Sequence, residues 1–407
     1  MDNVILKLIL AFVTGGFLLG QVLSFLNHRR RKLPAPPGLE DVFDKDKYRK
    51  YRNYKREAYR SDMLEQWAAF ILMMALLLGG FAMIDDLVIK LSGNKLLQSL
   101  LFLGIAGFIS DLIATPFNVY DTFVLEQRYG FNTTTPRIWI SDKLKSYIIA
   151  AVAGGGIMAV LILLYNWLGS SFWWLAWIAV TMVSIFFTLF YSTLIVPLFN
   201  KQTPLPEGPL RDKLNELARE TGFGVQDIYI IDGSKRSNRA NAYFSGFGNK
   251  RRIVLYDTLI KTMDIAGITA VLAHEIGHYR EKHVVFGLVR SVLQTGIILF
   301  LFSRIVNSST VYEALGASGP GFHLGLVVFV LLYSPVSLVL SVIGNYISRK
   351  NEFEADAFAA RYSDGKALAR ALRKLASDNL SDLTPHPLYV WFEYSHPPLA
   401  DRLARLE

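Results

Sequence analysis

Residues 274–278 read His-Glu-Ile-Gly-His. Side chains four apart share a face of an α-helix, so His274 and His278 can reach one metal ion. Glu275 is rotated off the ligand direction, where it can serve as general base towards a metal-held water. The run before it, Ile268 to Ala273, is largely apolar. A dry wall strengthens the field of an ion and gives the glutamate a reason for a shifted pKa. The chain has seven histidines, and no other pair has this spacing. It has no cysteine, so a metal must be held by His, Asp or Glu, and disulfides and thiolate chemistry are excluded.

A catalytic zinc centre needs a third protein ligand and an open position. Metzincins place a third His six residues after the second; here that residue is Val284, so the ligand must come from another segment. The run Arg349-Lys-Asn-Glu-Phe-Glu-Ala-Asp-Ala-Phe offers one. Glu352 and Asp356 are four apart and share a helical face, whereas Glu354 points roughly opposite to Glu352. Glu352 is assigned as third ligand, and Asp356 as the carboxylate that accepts an N–H from a ligand histidine and fixes its tautomer. The competing reading is a solvated, charged helix at a membrane edge.

The elements that must position these residues are set by composition. Of 407 residues, 52% are hydrophobic and mean hydropathy is +0.30. The apolar residues are gathered in long blocks, which places the chain in the membrane class. A bilayer core needs about 20 apolar residues in a helix. Seven stretches qualify: 4–26, 67–89, 97–117, 146–168, 172–197, 284–304 and 322–345. The first is read as a retained helix, because its apolar run is long and Arg29 to Lys32 follow it as a stop signal. Twelve Lys/Arg lie between spans one and two, four between three and four, thirteen between five and six, and nine after span seven. The opposite loops hold only Lys90, Lys95 and Arg304. This alternation predicts an outside N-terminus and a cytoplasmic C-terminus, which requires an odd number of spans.

Four regions follow: a five-span membrane region over 1–197, a cytoplasmic segment over 198–283, two further spans over 284–345, and a C-terminal cytoplasmic segment over 346–407. The cytoplasmic parts mix helices with short strands, read at Gln226 to Asp232 and Arg251 to Tyr256, with turns and a short strand between Gly233 and Lys250. The fold class is thus all-α membrane protein with a small α/β zinc-peptidase region. Asp111 and Arg290, charged within spans, are expected to face an aqueous interior.

The motif at 274–278, the run Asn351-Glu-Phe-Glu-Ala-Asp-Ala-Phe and the C-terminal Tyr394-Ser-His-Pro-Pro-Leu-Ala-Asp-Arg-Leu together resemble the type I CaaX prenyl protease family, membrane-embedded zinc metallopeptidases of gluzincin type. So do Glu126-Gln-Arg-Tyr-Gly-Phe-Asn-Thr-Thr-Thr, Pro197-Leu-Phe-Asn and Asn241-Ala-Tyr, in order along nearly the whole chain. The resemblance implies seven helices around a water-filled chamber, with one Zn2+ near the cytoplasmic end held by His274, His278 and Glu352. It implies that Glu275 is the base, that His396 steadies the oxyanion, and that Arg402 joins the supporting network. Asn241 and Ala242 would lie on the strand that pairs with substrate backbone. Read from the residues alone, Ser395-His-Pro-Pro is also a rigid turn, Arg402 a helix-end cation, and Asn241 a turn former.

The implied reaction is hydrolysis of a peptide bond by a zinc-held water, in a peptide or protein substrate that is lipidated in the family's eukaryotic members. There the last three residues of a prenylated Cys-a-a-X tail are removed. The short Gly/Ser-rich 304–321 connector and the compact C-terminus suggest a bacterial member in the cell membrane, with the endoplasmic reticulum expected for a eukaryotic one; the substrate is left open. A lipid bilayer is the other partner. No nucleic acid is expected, and the sequence sets no oligomeric state. HtpX-like membrane proteases share the His-Glu-x-x-His motif but lack the long N-terminal half. A transporter or scaffold with a structural metal would show repeated, broken spans, or have no use for Glu275. A protease cutting within the bilayer would carry its metal near mid-membrane, whereas this motif follows a polar segment.

Overall fold

The computed structural model describes residues 3–224, 227–245, 252–317 and 319–407. The first four helices each start where a short polar side chain takes an unpaired backbone N–H. Asn3 accepts from Leu6 to open α1 (Val4–Arg30), and Asp44 accepts from Lys47 to open α2 (Lys45–Leu91). Asn94 accepts from Leu96 and Leu97 to open α3 (Lys95–Tyr129), which Gly130 ends at φ +81°. Thr135 caps α4 (Pro136–Ile149), with proline at the first helical position, where no N–H is needed. The chain continues through α5 (Gly155–Leu168) and α6 (Trp173–Phe190).

Among the described residues, six helical stretches are long and apolar enough to cross a membrane, and only 6–22% of the residues in their apolar windows are buried within the protein. Most of that apolar surface is left for a bilayer to cover. The stretch Pro136–Phe199 holds both apolar runs expected at 146–168 and 172–197. They are joined through a tight turn at Gly169–Phe172, where Gly169 takes φ +56°, a conformation open to glycine. Beyond the turn α6 packs against α5, with Ile162, Phe172 and Ala176 in one buried cluster.

The sheet has the order β1-β2-β4-β3: β1 (Gln202–Pro204), β2 (Asp227–Ile231), β3 (Ala242–Ser245) and β4 (Arg252–Tyr256). β2 and β4 pair in parallel; β1 and β3 are antiparallel edges. The strands fall where β-branched and aromatic residues were read, while Gln226, Arg251 and 246–250 lie outside the described residues. β1 was not anticipated; its Pro204 fits an edge, where one N–H is not needed. β4 is buried through Ile253, Val254 and Leu255. Ile253 and Leu255 share the core with Leu214 and Leu217 of α7 (Pro209–Glu220) and with Ile268, Ala273 and Ile276 of α8 (Ile265–Arg280).

α8 carries the His-Glu-x-x-His motif and is capped by Asp264, which accepts from Gly267. Lys282, at φ +61°, turns the chain into α9 (His283–Ile305). The longest helix, α10 (Phe322–Tyr362), runs from the membrane past the expected span end at 345 and crosses α8. Gly277 permits that crossing: a Cβ there would lie 3.0 Å from Ala355 Cα and 3.1 Å from Phe358 Cβ. α11 (Gly365–Asp378), α12 (Pro387–Glu393) and α13 (Leu399–Leu406) follow.

The basic segments expected on one side of the membrane do meet. Arg239 donates to both oxygens of Glu126 at 3.0 and 3.1 Å, and Tyr54 donates to the same carboxylate at 2.6 Å. Arg31 reaches Asp382 at 2.8 Å. Asp111 is paired by Lys143 at 2.6 Å.

Candidate active site

His274 and His278 project from one face of α8, with their Nε2 atoms 3.3 Å apart. Glu352, brought across by α10, sets Oε2 3.4 Å from His274 Nε2 and Oε1 3.2 Å from His278 Nε2. Zn–N and Zn–O bonds of about 2.0–2.2 Å at tetrahedral angles require ligand atoms roughly 3.3–3.5 Å apart. Each histidine has a Glu352 oxygen close to this spacing, and one ligand atom from each of the three residues lies within 4.8 Å of the others, an arrangement that a single zinc can draw together. Glu352 is 3% exposed, and its Oε2 has no hydrogen-bond partner among the described residues. Arg402 Nη1 lies 3.5 Å from that oxygen and offsets part of its charge; a metal ion between the three groups would complete the pairing.

The second nitrogens of both histidines are held from behind. His274 Nδ1 lies 2.9 Å from Asp356 Oδ1. Arg402, from α13, donates to Asp356 through Nη2 at 2.6 Å and Nε at 2.8 Å. Burial works to lower the His274 pKa, but hydrogen bonds to Asp356 and Glu352 outweigh it and raise it to about 9. The pocket thus favours positive charge at this point. His278 Nδ1 lies 3.1 Å from His283 Nδ1, and His283 Nε2 lies 2.9 Å from Glu354 Oε2. Two carboxylates therefore back the two histidines, one directly and one through a third imidazole. Glu354, expected to point roughly opposite to Glu352, reaches the same histidine cluster through His283 and makes no direct contact with the three ligand groups among the described residues. Its link to His283 was not read from the sequence. The available signal was a histidine five residues after His278, but the backbone reversal at Lys282 that aims it inward has no sequence signature.

Glu275 is half-buried next to the ligands, and burial raises its pKa against the opposing pull of His274 and His278. His396, preceding α13, is exposed and sets Nδ1 3.0 Å from Glu352 Oε1. The turn reading of Ser395-His-Pro-Pro and the site reading are thus compatible: the turn carries His396 to the cluster. Asn241 and Ala242 lie at the start of β3, the sheet edge that flanks α8. Asn241 turns its side-chain oxygen to the Ala242 N–H at 2.9 Å, while its carbonyl accepts from Tyr256. Among the described residues, no hydrogen bond or ion pair links either of them to the cluster.

Membrane helices around a His2Glu cluster on a His-Glu-x-x-His helix define a membrane-embedded metallopeptidase. Comparison with known proteins agrees along the whole chain. Residues 24–201 match the family model described as CAAX prenyl protease N-terminal, five membrane helices, and residues 204–407 match peptidase family M48. The chain is 34% identical to CAAX prenyl protease 1 of Saccharomyces cerevisiae, over 97% of this chain and 94% of that protein. It is 30% identical to the CAAX prenyl protease 1 homolog of Homo sapiens, over 94% and 92%. The crystal structure of S. mikatae Ste24p superposes with a TM-score of 0.94 at 33% identity, covering 99% of each chain. The chain belongs to peptidase family M48 and is a multi-pass membrane zinc metalloprotease.

Proposed function

We propose that this protein hydrolyses a peptide bond near the C-terminus of an extended substrate, at one zinc held by His274, His278 and Glu352. The observation that carries the reading is the convergence of one ligand atom each from His274, His278 and the buried Glu352 within 4.8 Å of one another. Bound zinc supplies Lewis acidity, polarising the scissile carbonyl and making a water more acidic. Glu275 takes a proton from the attacking water onto its carboxylate and passes it to the departing amine nitrogen. Its half-buried position suits both tasks, because a raised pKa brings it closer to the proton donors it must serve. His396 uses the ring nitrogen that faces away from Glu352 to hydrogen-bond the developing oxyanion. Asp356 and Arg402 fix the orientation of His274, and His283 with Glu354 fixes that of His278.

The substrate backbone adds to the open edge of β3 at Asn241 and Ala242, which leaves alternate side chains to be read by the walls. The relatives are named for CAAX prenyl tails, and that tail is the substrate class we infer. In the membrane, α5 and α6 act as separate crossings, giving seven spans around an aqueous interior. The basic segments then lie in the cytoplasm and the N-terminus outside. The short connector between α9 and α10 favours a bacterial cell membrane as the setting.

The test is cleavage of a farnesylated Cys-a-a-X peptide, and of its unprenylated twin, by wild-type protein and Glu275→Gln in one detergent. We expect release of the tripeptide by wild type only, with the farnesylated peptide preferred. Equal cleavage by both proteins would remove Glu275 from the reaction. Cleavage of neither peptide by zinc-loaded wild type would remove the substrate class.

A further inference from the structure

The segment that carries His396 is tied to α10 on both sides of that residue. The helix before it, α12, ends at Glu393, and a helix end leaves its last carbonyls without partners inside the helix. Two side chains of α10 supply donors. Asn345 Nδ2 donates to the Phe392 carbonyl at 2.6 Å. Arg349 Nη1 donates to the carbonyls of Val390 at 3.0 Å and Tyr394 at 2.6 Å. Beyond His396, Arg402 donates to Asp356 at 2.6 and 2.8 Å. Asn345, Arg349, Glu352 and Asp356 follow at spacings of four, three and four, so one face of α10 carries them all. Glu352 thus sits between the two ties, on the same helix.

His396 depends on such ties more than a buried side chain would. Its side chain is 66% exposed, and among the described residues its ring has one polar partner, Glu352 Oε1 at 3.0 Å. In the proposed function that carboxylate holds the metal and His396 meets the oxyanion, and this inference rests on that reading. The position of the imidazole must then come from its backbone. Pro397 follows His396 and holds its backbone extended, and Pro397 is itself buried. The run from Tyr394 to Pro397 is a short, stiff arm. Its direction depends on where it is pinned, and Arg349 pins it at the Tyr394 carbonyl, two residues before His396.

Docking α12 onto α10 would explain one such bond. Alternate carbonyls at 390, 392 and 394, all taken by α10, set a register as well. We propose that Asn345 and Arg349 are positioning residues for the reaction: they fix the distance of His396 from the carbonyl oxygen of a substrate at the metal. Among the described residues, no hydrogen bond or ion pair links either of them to His274, His278 or Glu352. Their loss should therefore leave the metal ligands in place and let the arm shift. A misplacement of about 1 Å costs on the order of a hundredfold in rate. A donor that acts on the oxyanion works in the transition state, so the loss falls on kcat and spares KM.

The full-length, zinc-loaded protein in detergent would be assayed on a fluorogenic farnesylated Cys-a-a-X peptide. The set is wild type, Asn345→Leu/Arg349→Met, Arg349→Lys, His396→Ala, and the double change added to His396→Ala. The double variant is expected to keep stoichiometric zinc and wild-type KM, and to lose about ten- to a hundredfold in kcat. Both Arg349 bonds come from one nitrogen, which an ammonium with its three donors can replace. Arg349→Lys should therefore hold kcat within about fivefold of wild type. Added to His396→Ala, the double change should lower kcat by less than about threefold more, because the group it positions is gone. A merely structural tie would cost as much kcat without His396 as with it, and that result overturns the proposal. So does wild-type kcat in the double variant, or zinc lost from it while it stays folded. Should the double variant not fold, Asn345→Leu alone carries the same comparison with and without His396. Wild-type kcat in His396→Ala would overturn the oxyanion role itself, and the positioning with it.

Discussion

Two buried histidine–carboxylate clusters lie at opposite ends of α10, and only one of them is built for a metal. Near the start of α10, His323 lies 2.8 Å from Asp85 through Nε2 and 2.9 Å from Ser99 through Nδ1. All three residues are 3% exposed, and Phe102 packs against the imidazole at 4.4 Å. Near the other end, 29 residues and about 43 Å along the helix, Glu352 meets His274 and His278. The first cluster has the residue types of a nucleophile triad, but both ring nitrogens are occupied and the walls are closed. It ties α2, α3 and α10 together, as a satisfied buried network does. The second sets two Nε2 atoms close to a Glu352 oxygen that accepts no hydrogen bond, with the Arg402 guanidinium 3.5 Å from that oxygen and exposed His396 beside the carboxylate. The difference teaches that residue types alone do not mark a site. Unspent coordinating atoms and a way in do.

Substitutions at the two ends should therefore part sharply. The largest effect is expected for Glu352→Ala or His278→Ala: zinc is lost and cleavage abolished, measured by elemental analysis and peptide hydrolysis. Retained stoichiometric zinc in either variant would break the contrast. Next comes Gly277→Val, which drives a side chain into α10 where even a Cβ lies 3.0 Å from Ala355. Overpacking of this kind costs about 1–3 kcal/mol and should lower both the thermal midpoint and zinc occupancy. Third, Asp356→Asn and Arg402→Gln should each weaken zinc binding by about 10–100-fold, read by chelator competition. Glu354→Ala, one imidazole further from His278, should keep stoichiometric zinc and weaken it less than Asp356→Asn. At the far end, Ser99→Ala should leave zinc affinity unchanged and cost about 1–3 kcal/mol of stability, through the buried partner it orphans. A change in zinc affinity there would show that the two ends are coupled.

The metal helix was legible because ligand spacing and helix period coincide at His274 and His278. Glu352 and Asp356 were legible for the same reason, although in a separate segment. The long apolar helices were legible because apolar runs of that length leave few alternatives, and the segments joined by Arg31–Asp382 and Arg239–Glu126 are among those expected on one side from their charge. What could not be read depends on chain direction after a turn. The reversal at Lys282 aims His283 at His278; Arg402 was named through the family resemblance, but that α13 sets it on Asp356 was not read. Nor could sequence show that α10 runs unbroken to Tyr362, because periodicity persists across the membrane edge while polarity changes. The edge strand Gln202–Pro204 escaped because three residues carry too little alternation.

The account rests on a zinc centre that works through Glu275. The most direct measurement pairs elemental analysis with single-turnover cleavage for wild type and Glu275→Gln, purified in parallel. It predicts one zinc per chain in both proteins and a loss of at least about 10²–10⁴-fold in the cleavage rate of the variant. Cleavage at the wild-type rate by Glu275→Gln with zinc in place would contradict it.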